Sequence, residues 1–440
     1  MKHSYFKLSA LAFALSSSFN LVAAPIEISN AFDYNAFIFE NFTGINSDVE
    51  GKLAVGGNLN VTDFNVGLLL PTDLSSSSLY VGGDLNYNKG DVHGGQTTVG
   101  GTITATQTTF DGALNSGSDT SVSETAVGNG GINAAGNVTV TLSDNVSGNI
   151  TANQSVELVN ADILSGSVTH GTGFTKDSDS QVSGSVINGT GTEVSVNNID
   201  FNGIINEVTN HSFDYSQLAA NGVTTVNCWG DDDGDGFGDA ACTNTDTDVH
   251  EIFFKGSENL NVFSIDSAFL SDPGKSITFD FSTTSYNIIN VYGKEVELFD
   301  TGFFNAAFSE ENSYFRENGQ YRDNDNNVGQ RHDGLYTNNI LFNFVDATSL
   351  NLHTVGIKGS ILAPYADVSF YNGHIDGNLI VKSLSSPEGS FDANGEYDPP
   401  TGQVNNYRFG AIDVSEPASA ALLFGAGLFA LSRRKLKRKA

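Results

Sequence analysis

The sequence predicts an all-β protein: a β-solenoid of the parallel β-helix kind, with one flanking α-helix, an inserted β-rich segment and a C-terminal transmembrane helix. Three observations carry that expectation. The first is a short word, glycine followed by Asn, Asp, Ser or Thr and then an aliphatic residue. It stands at Gly57-Asn58-Leu59, Gly83-Asp84-Leu85, Gly101-Thr102-Ile103, Gly136-Asn137-Val138, Gly148-Asn149-Ile150, Gly166-Ser167-Val168 and Gly184-Ser185-Val186, and returns at Gly359-Ser360-Ile361 and Gly377-Asn378-Leu379. The interval is 18 residues from Gly83 to Gly101, from Gly148 to Gly166 to Gly184, and from Gly359 to Gly377. A fixed short period is the signature of a solenoid, and this length suits one coil of three short strands with glycine at a turn. The second is alternation of apolar and polar residues between the words, as in Val138-Thr139-Val140-Thr141-Leu142, which is the strand period. The third is composition: 48 glycines, one Met and one Trp in 440 residues, with abundant Asn, Ser and Thr, suit many tight turns. Parallel crossovers favour a right-handed coil. A β-sandwich with chance glycine spacing is the competing fold.

Taken in order, the chain opens with Lys2 and Lys7, an apolar stretch from Leu8 to Leu15 and small residues ending at Ala24, the pattern of a secretory signal peptide over 1–24. Residues 25–392 are expected to form the solenoid domain. Within it Phe201, Ile204, Ile205 and Val208 mark one face of a helix capped by Asp200, running through Leu218 toward Gly222 and covering a solenoid face. Strands are expected at 251–254, 260–263, 277–281, 288–291 and 340–344, and a long polar surface loop at 305–335. Residues 393–412, rich in Pro, Gly, Asp and Asn, read as a spacer.

The last stretch, 413–440, has three parts: Ser415-Glu416-Pro417, an apolar helix over 418–432, and the basic cluster Arg433, Arg434, Lys435, Lys437, Arg438 and Lys439. Such a helix rises only about 20 Å, short of a hydrocarbon core near 30 Å, and the basic side chains can snorkel to close the gap from the cytoplasmic side. These residues resemble the PEP-CTERM sorting signal of Gram-negative bacteria, with Ser415 in place of the first proline of its box. The resemblance implies an exosortase-like processing enzyme and a protein exported across the inner membrane, anchored there before processing and then placed at the cell surface or outside the cell. An uncleaved tail anchor is the plainer alternative.

A second resemblance spans the domain. Phe32-Asp-Tyr-Asn-Ala-Phe-Ile-Phe39, Asn46 to Leu59, Asn343 to Leu350, Ile357 to Val368 and Gly373 to Leu384 are similar to the choice-of-anchor A domain, bracketing residues from about 28 to 392. Its members are bacterial surface or secreted proteins, so the resemblance implies an adhesin role with extracellular polysaccharide or surface proteins as partners. It carries over no catalytic residues.

The chemistry legible in the chain is sparse. Twenty Lys+Arg face 51 Asp+Glu, a net charge of −31, and eight of those basic residues lie in the two terminal signals. So acidic a surface excludes nucleic acid as a partner and attracts cations. Asp231, Asp233, Asp235 and Asp239 take positions one, three, five and nine of an EF-hand loop, with Gly236 allowing a sharp turn. Cys242 stands at the twelfth position, so the usual glutamate is missing. The run is similar to the calcium-binding loops of thrombospondin type 3 repeats, which implies a structural Ca2+; a solvated acidic loop is the alternative. Cys228 and Cys242, the two cysteines, read as one disulfide closing that loop in an oxidising compartment. Zinc-helix, nucleophile-elbow and phosphate-loop motifs do not occur, and a non-enzyme is expected. Thr97, Thr98, Thr102, Thr104, Thr106, Thr108 and Thr109 allow an ice- or carbohydrate-binding face, although exposed strand threonines mostly just satisfy β propensity. A β-helical polysaccharide-degrading enzyme is the remaining alternative.

Overall fold

Every long strand in the first half of the chain breaks at the same place. Phe42–Val49, Leu59–Val66, Leu85–Val92 and Ile103–Phe110 each run for 8 residues. In Leu59–Val66, Leu59 and Val61 point inward, and strict alternation would send Asp63 inward next. Instead Asp63 adopts a left-handed backbone, φ 48°, and the inward set resumes one residue later at Phe64 and Val66. Asn46, Lys89, Gln107, Glu124, Leu142 and Asn160 do the same in their own repeats, at φ between 49° and 62°. One left-handed residue kinks the chain and shifts the face of everything after it. Leu142, inward by simple alternation, is therefore exposed, and Ser143 is buried beside it.

The computed structural model describes residues 26–189, 194–230, 240–243, 248–282, 285–305, 339–386 and 400–410. All but the first two of these lie in one contact unit, Ile28–Gly410. The unit is mostly strand, with one α-helix among the described residues. Its main sheet has 29 strands, paired in parallel from one repeat to the next. Ile132 pairs with Ile150, Ile150 with Val168 and Val168 with Val186, a step of 18 residues each time. Equivalent aliphatic residues thus stack directly over one another, and those columns are the core. Leu53 to Leu79 is a longer step of 26, its extra residues leaving Leu68 and Leu69 exposed.

The recurring word has a physical basis in this stacking. Its second residue accepts a hydrogen bond from the backbone of its equivalent one repeat on: Asn58 Oδ1 from Asp84 N–H at 2.8 Å, and Asp84 Oδ1 from Thr102 N–H at 2.8 Å. The step recurs from Asp119 to Asn137 at 2.7 Å, from Asn149 to Ser167 at 2.9 Å and from Ser360 to Asn378 at 2.8 Å. Such bonds contribute about 1 kcal/mol each when they spare a buried donor. The glycine is there for closeness. A Cβ on Gly83 would sit 2.2 Å from Asn58 Oδ1 and 2.9 Å from the Gly57 carbonyl oxygen, and one on Gly101 would sit 2.2 Å from Asp84 Oδ1 and 2.8 Å from the Gly83 carbonyl oxygen.

The order of strands in the ladder differs from their order in the chain. Ala36–Ile38, the first strand, lies in the middle, paired with Leu53–Val55 on one side and Leu379–Ser385 on the other. Beyond Leu379–Ser385 follow Ser360–Tyr371, Ile340–Phe344, Tyr286–Tyr292 and Leu260–Asp266. The expected β-rich insertion therefore divides. Those last three strands continue the main ladder, while Val223–Cys228, Ala240–Ala241, Val249–Lys255, Ser276–Asp280 and Gly302–Asn305 form a separate five-stranded sheet. Residues 400–410, expected within the spacer, belong to the fold as well. Gln403–Asn405 pairs with His374–Asp376, and Phe409 is buried against Phe32 and Tyr286. Two apolar residues, Val404 and Phe409, suffice to dock a segment whose composition otherwise resembles a linker.

The helix runs Phe201–Gln217, with Asp200 capping the Gly203 N–H at 3.0 Å, and ends before the expected Gly222. It packs on Tyr286–Tyr292, Ile340–Phe344 and Ser360–Tyr371. A polar seam holds it there: Ser212 Oγ donates to Asn343 Oδ1 at 2.6 Å, and Asn290 Nδ2 to the Tyr215 carbonyl at 3.0 Å. No helix among the described residues is long and apolar enough to cross a membrane. The signal peptide over 1–24, all of the loop expected over 305–335 except Asn305, which ends a strand, and the sorting stretch with its helix over 418–432 lie outside the described residues.

One charged column is buried where the ladder ends near the C-terminus. Lys358, Asp376 and Asn405 stand in register, Lys358 Nζ 2.5 Å from Asp376 Oδ2, with Asn405 Nδ2 donating to Asp376 Oδ1. Asp376 is fully buried. Asp376→Ala, which removes the buried carboxylate facing Lys358, should lower unfolding free energy by about 3–5 kcal/mol in chemical denaturation, whereas the double change Lys358→Met with Asp376→Leu should cost far less. Equal losses in the two variants would show that packing, not charge, sets the cost.

Candidate binding face

In a parallel ladder every outward position repeats as a column. The residues after Phe42, Leu59, Leu85, Ile103, Thr120, Val138 and Val156 form one such column: Thr43, Asn60, Asn86, Thr104, Ser121, Thr139 and Glu157. Two residues further on stands a second: Ile45, Thr62, Asn88, Thr106, Ser123, Thr141 and Val159. Six of the seven residues of the first column are exposed and Thr139 is half-buried, while most of the second are half-buried. Rows lie about 4.8 Å apart and the two columns about 7 Å apart, the spacings of paired strands and of alternate residues. The result is a flat grid of hydroxyls and amides bearing one charged group, Glu157, in a chain of net charge −31. Such a grid offers hydrogen bonds at fixed intervals to a ligand that is itself flat or repetitive.

This face is only partly the one suggested by the threonine run. Thr104 and Thr106 are on it, whereas Thr97, Thr98 and Thr108 are buried. Thr98 accepts or donates one bond with Ser77 at 2.6 Å, and Thr108 Oγ1 donates to the Thr106 carbonyl at 3.0 Å. Thr97 and Thr98 are both buried, and Thr108 is buried beside exposed Thr109, so the grid is built by partners one repeat away.

A family model described as "Putative Ice-binding-like adhesive domain" matches residues 28–128 and 109–393. The chain belongs to that family. No curated protein and no solved structure matches it. The matched residues of this adhesive domain take in the whole grid, the helix and most of the buried core.

The adhesive domain also carries the disulfide. Cys228 and Cys242 are bonded, Cα atoms 5.2 Å apart, across a hairpin in which Asn227 pairs with Ala241 and Cys228 with Ala240. Trp229, exposed, lies against His250 with ring centroids 3.9 Å apart. Asp231, Asp233, Asp235 and Asp239 lie outside the described residues, as do Ser415, Glu416, Pro417, Arg433, Arg434, Lys435, Lys437, Arg438 and Lys439. Among the described residues no group of three His, Cys, Asp or Glu is placed to hold a metal ion.

One titratable group in the adhesive domain is set apart by burial. Lys275 lines a groove of about 650 Å³ between the five-stranded sheet and the strands near His374. Burial pushes its amine down to about 8, against the opposing pull of Asp272 and Asp300. Its Nζ donates to the Asp272 carbonyl and to Thr301 Oγ1, the latter at 2.9 Å, so it ties the approach to Ser276–Asp280 to the residue before Gly302–Asn305. A lysine with a depressed folded-state pKa costs stability while protonated. Between pH 8 and its unfolded value near 10.5 the unfolded chain holds the proton more firmly, so stability rises with pH across that window, by at most about 3 kcal/mol. Comparing Lys275→Met with the parent protein by denaturant unfolding at pH 7.5 and 9.5 should show the rise in the parent and its loss in the variant.

Proposed function

We propose that this protein is an exported, surface-associated adhesive protein that works by binding and not by turnover. The parallel ladder is read here as a right-handed β-solenoid whose faces are presented to the medium. The observation that carries the reading is the grid of Thr43 to Glu157 and Ile45 to Val159, a regularly spaced surface with Glu157 as its one charged residue, within a family described as adhesive. The resemblance to choice-of-anchor A proteins points the same way and suggests extracellular polysaccharide or surface proteins as partners. The binding test is direct. Arginine at Thr104 and at Thr139 should weaken binding of the secreted protein to polysaccharide from the producing cells at least tenfold, with unchanged melting temperature. Unaltered binding would remove the grid from the reading, and release of new reducing ends would replace adhesion with hydrolysis.

Delivery to that location is assigned to the terminal signals. A signal peptide over 1–24 starts export, the helix over 418–432 holds the protein at the inner membrane, and an exosortase-like enzyme acts at Ser415-Glu416-Pro417 while Arg433 to Lys439 stay cytoplasmic. The acidic run Asp231, Asp233, Asp235 and Asp239 takes one structural Ca2+, and the disulfide at its base supports this by holding the loop's two ends together. Mass spectrometry of protein from cells and medium should find a C-terminus ahead of Ala418 in the released form. A released chain ending at Ala440 would leave no place for processing.

The grid also favours a second reading, binding of ice, because Thr104 and Thr106, Ser121 and Ser123, and Thr139 and Thr141 set hydroxyls in two parallel rows. The same arginine variants assayed for ice recrystallisation separate the two.

A further inference from the structure

A second outward column lies on another side of the repeats, and it is roofed. Ser77–Val81, Gln96–Val99, Leu114–Ser116, Ile132–Ala134 and Ile150–Ala152 are short strands whose end residues are buried, except Gln96, which lines the groove described below. Tyr80, Thr98, Asn115, Asn133 and Thr151 stand in register along them. The chain then returns across this column. Val194 is pinned by both ends of the Asn153 amide, its N–H 2.6 Å from Oδ1 and its carbonyl 3.3 Å from Nδ2, and Asn198 Nδ2 reaches the Val81 carbonyl at 2.7 Å. Between the column and this strap lies a groove of about 550 Å³.

Three features of the groove specify a ligand. It is uncharged: of its lining residues only Tyr80 carries an ionisable group, in a chain with 51 acidic residues. It is oriented: Asn133 Nδ2 donates to Asn115 Oδ1 at 3.0 Å, Asn115 Nδ2 to Gln96 Oε1 at 2.9 Å, and Gln96 Nε2 to the Leu74 carbonyl at 2.6 Å. Each amide is fixed by one N–H, and a primary amide has a second to give. It is long: five strands side by side span roughly 19 Å, more than one small polar molecule needs. Tyr80 stands at one end, its ring braced edge-on by Tyr34 at 6.0 Å between centroids.

We propose that this groove binds a single chain of uncharged polysaccharide, with Asn115, Asn133 and Thr151 hydrogen-bonding successive sugar hydroxyls and Tyr80 packing against the apolar face of one ring. Hydroxyls both donate and accept, which matches fixed amides better than it matches an acidic surface. Tyrosine supplies apolar area with a polar tip. An extended peptide is the poorer fit. Peptides join exposed strand edges, and these strands are hydrogen-bonded to a neighbour on both sides. The inference rests on the adhesive reading only in taking extracellular polysaccharide as the class of partner.

The test uses the secreted protein and three uncharged hexasaccharides, of β-linked glucose, xylose and mannose, with oligogalacturonate as the charged control, by titration calorimetry. Binding of at least one uncharged chain is expected, weakened at least tenfold by Tyr80→Ala and by Thr151→Lys. Thr151→Lys leaves the amide chain intact, so it keeps the test valid if Tyr80→Ala fails to fold. Binding lost in Thr104→Arg but kept in the groove variants would overturn the groove and leave the adhesive reading standing. Binding of oligogalacturonate alone, or of none of the four, would overturn the groove too. The adhesive reading would then be decided by whole-polysaccharide binding.

Discussion

A repeat in this fold can satisfy its backbone only through the repeat before it and the repeat after it. Parallel strands make no hydrogen bonds within a single repeat, so each gains its ladder only when a neighbour arrives. Most of the other features follow from that dependence. The word glycine–polar–aliphatic exists because Gly83 and Gly101 must leave room for the polar side chain of the repeat before and because Asn58 and Asp84 must each reach the next N–H. The outward grid exists because in-register stacking copies any surface residue into a column.

The same dependence explains why the first strand sits in the middle. Ala36–Ile38 is sandwiched between Leu53–Val55 and Leu379–Ser385, so the two halves of the chain join through its N-terminal residues. Asn378 strengthens the join, its Nδ2 donating to the Tyr34 carbonyl at 2.6 Å and its Oδ1 accepting from Phe409 N–H at 2.7 Å. Closing a loop of that length costs little more than closing a short one, because the entropy grows only with the logarithm of length. It does set an order of events. Each half can pair from repeat to repeat, and the two join only once Leu379 to Val381 have been made.

These constraints decide what could be read from the residues. The repeat was legible because its cause is local, a glycine and a short polar side chain at fixed offset. The helix was legible because Asp200 and the spacing of Phe201, Ile204 and Val208 are also local, and Val208 is indeed fully buried. The kink was not. Asn46, Asp63 and Asn160 are residues that tolerate a left-handed backbone, but Lys89, Gln107, Glu124 and Leu142 hold the same conformation without any such preference. Neighbouring repeats impose it, so alternation placed Leu142 on the wrong side. The spacer failed for a related reason, since Val404 and Phe409 bury themselves against residues more than 350 positions away. The binding grid was hidden by reading along the chain. Adding the repeat step to Thr104 leads to Ser121 and then Thr139, and subtracting it leads to Asn86.

A regular face with a single charge is also a surface on which copies of the chain could adhere to one another, and the ladder adds a second such risk at its far end. Val186–Asn188 pairs with Val168–His170 at one end of the ladder, where Val186 and Ile187 are exposed. Charge supplies the remedy from elsewhere: 51 acidic residues leave the grid and the roofed groove almost untouched, yet give every molecule the same sign. That repulsion acts over about 8 Å at physiological ionic strength, enough to hold two chains apart before hydroxyls or strand edges meet. An uncharged ligand feels none of it. Concentrating the acidic residues off the binding surfaces therefore separates two encounters that the surfaces alone could not tell apart, partner from sibling.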